Sequence, residues 1–204
     1  MKRNLLMIIF ASLSLIACAE ENPDQPIPEK NNEEVVNQWL KLNYADDSKE
    51  HHMLDIHLPA TEKASYKAIV VIYGSAWFGN NLKQAAFDVY GKALLDAGFA
   101  VITINHRAST EAKYPAQIND VKAAIRFVRG NAPKYRIDAS FIGITGYSSG
   151  GHLSSLAGTT NNVKKFTVGQ KTVDIEGNIG NYTSASSSVN AVVDWFGPID
   201  MTRM

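Results

Sequence analysis

Between Ile142 and Leu153 the chain reads IGITGYSSGGHL, and Ser148 stands there inside Gly146-Tyr147-Ser148-Ser149-Gly150. A serine hydroxyl is a weak nucleophile until a neighbouring base takes its proton. A sharp turn from strand to helix helps by lifting the oxygen above the sheet, beside the free backbone N–H groups that open a helix. The context fits such a turn: the apolar run FIGIT precedes the serine, small residues follow it, and glycines at 146 and 150 relieve crowding. The chemistry open to a serine so placed is acyl transfer, which also needs a base and two N–H donors for the tetrahedral oxyanion.

One donor is expected from Ser149, the residue after the nucleophile. The other must come from the loop after the buried run AIVVIY, residues 68–73, and that loop reads Gly74-Ser75-Ala76-Trp77-Phe78; Ser75 and Ala76 both qualify. The base is harder to find among five histidines. His152 lies four residues beyond Ser148 on the same helix, where it reads as a packing or hydrogen-bonding residue. His106 follows the strand AVITIN at its C-terminal end, and in the usual strand order that strand lies two places from the nucleophile strand. At about 4.8 Å per strand that leaves roughly 10 Å, too wide for a proton transfer that needs about 3 Å. His51, His52 and His57 sit on a strand farther out. The pair His51-His52 hints at a metal, but with no further ligand clustered in sequence it reads as exposed strand ends, and no metal or other cofactor is expected. Asp194 lies inside the last strand and Asp200 just past it.

The elements that must position these groups alternate in type. His52 to Leu58 alternates as a half-exposed strand does, and 68–73 is a continuous buried run. Helical spacing follows over 84–97, closed by Gly98, and then another buried strand at 100–105. Tyr114-Pro115 opens a helix whose apolar face is Ile118, Val121, Ala124, Ile125 and Val128. Phe141 to Thr145, a short helix at 149–157 and the strand VNAVVDWF at 189–196 complete the series. Strands alternating with helices imply an α/β fold, a mostly parallel sheet covered by helices on both faces. The turn-rich stretch 158–188 shows no periodicity and reads as a functional loop or a lid.

Several blocks together resemble the acetyl-esterase and feruloyl-esterase-like lipases of the α/β-hydrolase superfamily. VIYGSAWFGNN stands where that family has an H-G-G-G-W segment, YPAQINDVKAAIRFVR and GYSSGGHL match its helix and elbow, and VVDWFGPIDM its following strand. The likeness runs from about His52 to Met204. It implies a carboxylic-ester hydrolase acting on a small ester or an acylated carbohydrate, with Ser148 as nucleophile. It also implies an acid and a histidine later in the fold, so a domain incomplete at its C-terminus is expected, with a non-catalytic relative as the rival reading. The family histidine is Tyr73 here, and two of its glycines are Ser75 and Ala76.

The composition allows one globular domain, expected over 35–204: 45% of residues are hydrophobic, and Lys plus Arg equals Asp plus Glu at 20 each, so nucleic-acid binding is not expected. Residues 1–17, with Lys2-Arg3 before a mostly apolar stretch, read as a secretory signal too short to span a bilayer. Leu15-Ile16-Ala17-Cys18 resembles the lipobox of bacterial lipoproteins, which implies a lipid on Cys18, the sole cysteine, and a protein anchored to a bacterial membrane after export. The acidic, Pro-rich residues 19–34 then read as a tether.

Overall fold

The computed structural model describes residues 37–203. Its centre is a six-stranded sheet built from β1 (Gln38–Asn43), β2 (Met53–His57), β3 (Tyr66–Ile72), β4 (Ala100–Ile104), β5 (Ile137–Tyr147) and a last strand, Ala191–Trp195. Between β5 and that last strand comes a small antiparallel pair, β6 (Lys165–Val168) and β7 (Lys171–Asp174), so Ala191–Trp195 is β8. The strand order is β1-β2-β4-β3-β5-β8. β4, β3, β5 and β8 run parallel, while β1 and β2 pair antiparallel at one end. The expected mostly parallel α/β sheet is therefore present, and β4 lies two places from β5 as the strand arithmetic required.

Period-two alternation along β3 sends neighbouring side chains to opposite faces. Ala68, Val70 and Ile72 pack in the larger core with Ile118, Val121 and Leu153 from α3 (Ala116–Gly130) and α4 (Ser149–Thr159). Val71 and Tyr73 face the smaller core with Ala86, from the helix that opens as α1 (Lys83–Ala86), passes through a π-helical turn at Phe87–Gly91 and ends as α2 (Lys92–Asp96). Gly98 terminates this helix at φ +87°, with its N–H on Leu95 O and that of Phe99 on Leu94 O, a conformation that glycine adopts without a Cβ penalty. All five expected apolar residues of α3 are fully buried.

β1 was not legible as a strand. In QWLKLN a register shift between Trp39 and Leu42, with Lys41 at φ 56°, breaks the alternation that marks strands. His51 and His52 are not exposed strand ends either: Glu50–His52 is a 3-10 turn ahead of β2, and His52 is only 5% exposed. Nor is 158–188 without structure. The β6–β7 hairpin occupies part of it, Ile175 is buried in the main core, and Tyr182 Oη donates to Asn131 Oδ1 at 2.9 Å. The outer edge of β8 has no strand partner among the described residues, and Val192, Val193 and Trp195 are exposed there.

Candidate active site

β5 ends at Tyr147 and α4 begins at Ser149, so Ser148 forms the whole turn between them at φ 54°, ψ −125°. A positive φ is unfavourable for a residue with a Cβ, and such strain persists only where neighbours enforce it. They do so here: Ser148 N–H donates to Trp195 O of β8 at 3.0 Å, and Ser148 O accepts from His152 N–H at 3.1 Å as the first helical bond. The flanking glycines are sterically required. A Cβ on Gly146 would stand 2.5 Å from the Gly150 carbonyl, and one on Gly150 would collide with the carbonyls of Ile72 and Tyr73.

The loop after β3 passes directly beside this turn. A Cβ on Gly74 would lie 2.7 Å from Tyr147 O and 2.8 Å from Ser148 Cβ. Ala76 and Trp77 sit at φ 49° and 62°, and Phe78 N–H closes on Ser75 O at 2.9 Å, the geometry of a type I′ turn. Ser109 N–H donates to Trp77 O at 2.8 Å and braces the loop from the segment after β4. Tyr73, which replaces the family histidine, donates its hydroxyl to Gly79 O at 3.2 Å and stacks on His106 at 4.8 Å; burial raises its pKa.

Ser149 ties loop and turn together through its side chain. Its Oγ, in a residue 1% exposed, accepts the N–H of Ser75 at 2.9 Å. Of the two loop donors left open by sequence, Ser75 thus has its N–H engaged, and the Ala76 N–H has no acceptor among the described residues. This hydrogen bond was invisible in sequence, since it joins residues 74 positions apart.

All five histidines lie in the described part of the chain, and no histidine side chain hydrogen-bonds to Ser148. His106 is fully buried, its Nδ1 sits 3.0 Å from Arg107 O, and burial lowers its pKa toward a neutral ring. His152 meets Trp77 edge-on at 5.3 Å; burial lowers its pKa, opposed by the Asp194 charge, and its Nδ1 is buried without a partner. A cavity of about 160 Å³ lies there, walled by Trp77, Tyr114, Gln117, His152 and Leu153. Asp194 is a clasp: Oδ1 accepts from Gly197 N–H at 2.7 Å and Oδ2 from the Ser155 hydroxyl at 2.6 Å, joining the end of β8 to α4. Asp200 accepts from the N–H and hydroxyl of Thr202 beyond the sheet. Cys18, with 1–34 as a whole, lies outside the described residues.

A family model, BD-FAE, matches residues 54–204, the range that includes the strained serine and the loop against it. The chain belongs to the BD-FAE family. Among curated proteins it is similar to the probable carboxylic ester hydrolase LipM of Mycobacterium tuberculosis, 31% identical over 80% of this chain and 35% of LipM. Among solved structures it is similar to a bifunctional GH43-CE protein of Bacteroides eggerthii, 69% identical with a TM-score of 0.81 over 82% of this chain and 22% of that one. A truncated form of a carbohydrate esterase from gut microbiota is 64% identical, also at a TM-score of 0.81, over 83% of this chain and 59% of its own. The chain thus spans about a third of LipM. The mostly parallel sheet and the TM-scores of 0.81 agree with the α/β-hydrolase fold expected from sequence.

Proposed function

We propose that this chain carries the nucleophile and oxyanion donors of a serine carboxylic-ester hydrolase acting on acylated carbohydrate. The observation that carries the reading is Ser148 held at positive φ between β5 and α4, with the loop after β3 against it. Ser148 Oγ would attack the ester carbonyl carbon, a base would take the hydroxyl proton, and the C–O bond to the alcohol would break with return of that proton to the leaving oxygen. The N–H groups of Ser149 and Ala76 would hold the oxyanion, with the Ser149 hydroxyl positioning the loop through Ser75. The 64% identical relative, named as a carbohydrate esterase, favours a sugar ester over a simple lipid.

The test joins this chain to the C-terminal part of the 64% identical carbohydrate esterase and follows release of acetate from an acetylated sugar. Hydrolysis should appear and fall by at least a thousandfold in Ser148→Ala. Activity that survives the substitution overturns the assignment. A non-catalytic role is the second reading, favoured by the lack of any histidine side chain bonded to Ser148 among the described residues; it predicts sugar binding without hydrolysis in the same hybrid.

The leader supports a further proposal, that Cys18 carries a lipid anchoring the chain at a bacterial membrane. Expressed in a bacterial host, the chain should partition into detergent with a mass increase on the peptide that begins at Cys18. Cys18→Ala should remove both. An unmodified Cys18 in membrane-extracted protein refutes it.

A further inference from the structure

The two adjacent histidines that sequence left as strand ends are drawn together with a third group, and the ester chemistry uses none of them. Ligand-capable atoms of Asp47, His51 and His52 all lie within 4.8 Å of one another. Asp47 Oδ2 stands 2.7 Å from His52 Nδ1, and the two imidazole rings meet edge-to-face at 4.4 Å. The edge of a zinc tetrahedron with bonds of about 2.0–2.1 Å is about 3.3 Å, which these spacings bracket.

Each of the three groups is also held from behind. Asp47 Oδ1 accepts the N–H of Lys49 at 3.1 Å and the Asn43 amide at 3.3 Å, which leaves Oδ2 for the cluster. His51 Nδ1 lies 3.1 Å from Glu111 Oε1, and its Nε2 is buried without a hydrogen-bond partner. His52 Nε2 lies 3.3 Å from Asp120 Oδ1, an ion-pair distance without hydrogen-bond geometry, and its Nδ1 is the nitrogen turned to Asp47. Both carboxylates behind the imidazoles are fixed in turn. Glu111 accepts from Asn80 Nδ2 at 2.9 Å and Ala108 N–H at 2.8 Å, and Asp120 is clamped by Arg107 through Nη2 at 2.7 Å and through its backbone N–H at 2.8 Å. A carboxylate on the far nitrogen of a histidine is the arrangement that orients metal-ligating imidazoles and raises their basicity.

We propose that His51 Nε2, His52 Nδ1 and Asp47 Oδ2 bind a zinc-type transition-metal dication, with Glu111 and Asp120 orienting the two imidazoles. Two nitrogens and one carboxylate select such an ion over Mg²⁺ or Ca²⁺, which prefer oxygen ligands. A side-chain exposure of 29% at Asp47 gives the ion a path from solvent and leaves room for water as the fourth ligand. The site stands at the start of β2, three strand places from β5, so at about 4.8 Å per strand it is roughly 14 Å from the Ser148 strand and does not depend on the esterase reading.

The experiment strips the full chain with a chelator and titrates it calorimetrically with Zn²⁺, Ca²⁺ or Mg²⁺ alone. One equivalent of Zn²⁺ should bind saturably, with neither Ca²⁺ nor Mg²⁺ doing so. His51→Gln should weaken Zn²⁺ binding at least a hundredfold. Glu111→Gln, whose carboxylate is partly exposed, should weaken it about 10–100-fold while melting like the parent in chelator. Absence of saturable Zn²⁺ uptake overturns the proposal, because the cluster is then only a hydrogen-bonded ion network. Uptake that is unchanged in His51→Gln, as Cys18 would give, overturns it as well.

Discussion

The 204-residue chain by itself is expected to hydrolyse an activated aryl acetate far more slowly than about 1 per second, with Ser148→Ala changing that rate little. A general base must stand within about 2.6–3.2 Å of the proton it removes, directly or through one water. His106 is held away by being buried under Tyr73 with Nδ1 on Arg107 O, just past the end of β4, which lies two places from β5. His152 is placed one helical turn along α4 with its ring against Trp77, and His51, His52 and His57 belong to the β2 end of the sheet. Loss of the base in a well-studied serine protease costs about six orders of magnitude in turnover, leaving about 10³–10⁴ over water from binding and the oxyanion hole. The measurement is p-nitrophenyl acetate hydrolysis by the monomeric chain beside Ser148→Ala. Turnover of about 1 per second or more that vanishes in Ser148→Ala would make a histidine of this chain the base, and His152→Asn would then show whether it is the one on α4.

The parts legible in sequence were those written as local pattern. FIGIT followed by GYSSGG specifies a strand, a turn and a helix within a dozen residues, and the buried runs at 68–73 and 100–105 declare central parallel strands by their continuity. What escaped was carried by contacts distant in sequence. His51 meets Glu111 across 60 positions of sequence, and the choice between Ser75 and Ala76 depends on a hydroxyl beyond the elbow. Helix α3 shows why polarity misleads. Asp120, Lys122 and Arg126 are buried beside its apolar face, so a pattern read as amphipathic belongs to a helix enclosed nearly all round.

The buried cations of α3 also explain why 158–188 is not a free lid, and they set a large expected stability effect. The side chains of Lys122 and Arg126 are each 1% exposed. Arg126 Nη1 donates to Glu176 Oε1 at 2.6 Å, while Lys122 Nζ at 3.1 Å and the Ser187 hydroxyl at 2.7 Å donate to Oε2. The same cations bind backbone carbonyls of Thr160, Val163, Glu176 and Ile179, so the segment is fastened to the helix along much of its length. Glu176→Gln keeps the shape and removes the charge, and breaking a buried pair from one side costs about 3–5 kcal/mol. The carbonyls retain part of the compensation, which puts the expected loss near ~3 kcal/mol, read as a lower denaturant midpoint at unchanged slope. The pH dependence has a definite sign. Burial by itself raises the Glu176 pKa, but hydrogen bonds from Ser187, Arg126 and Lys122 outweigh it and the net shift is downward. A lowered folded-state pKa gives stability that is complete above the unfolded value of about 4.3 and is lost as pH falls through the folded one. The gap between parent and Glu176→Gln should therefore be full at pH 7 and close in acid below about pH 4. A gap under about 1 kcal/mol at neutral pH would mean that the carbonyls alone satisfy both cations. A gap that persists unchanged into acid would mean that the carboxylate charge is not what fastens the segment.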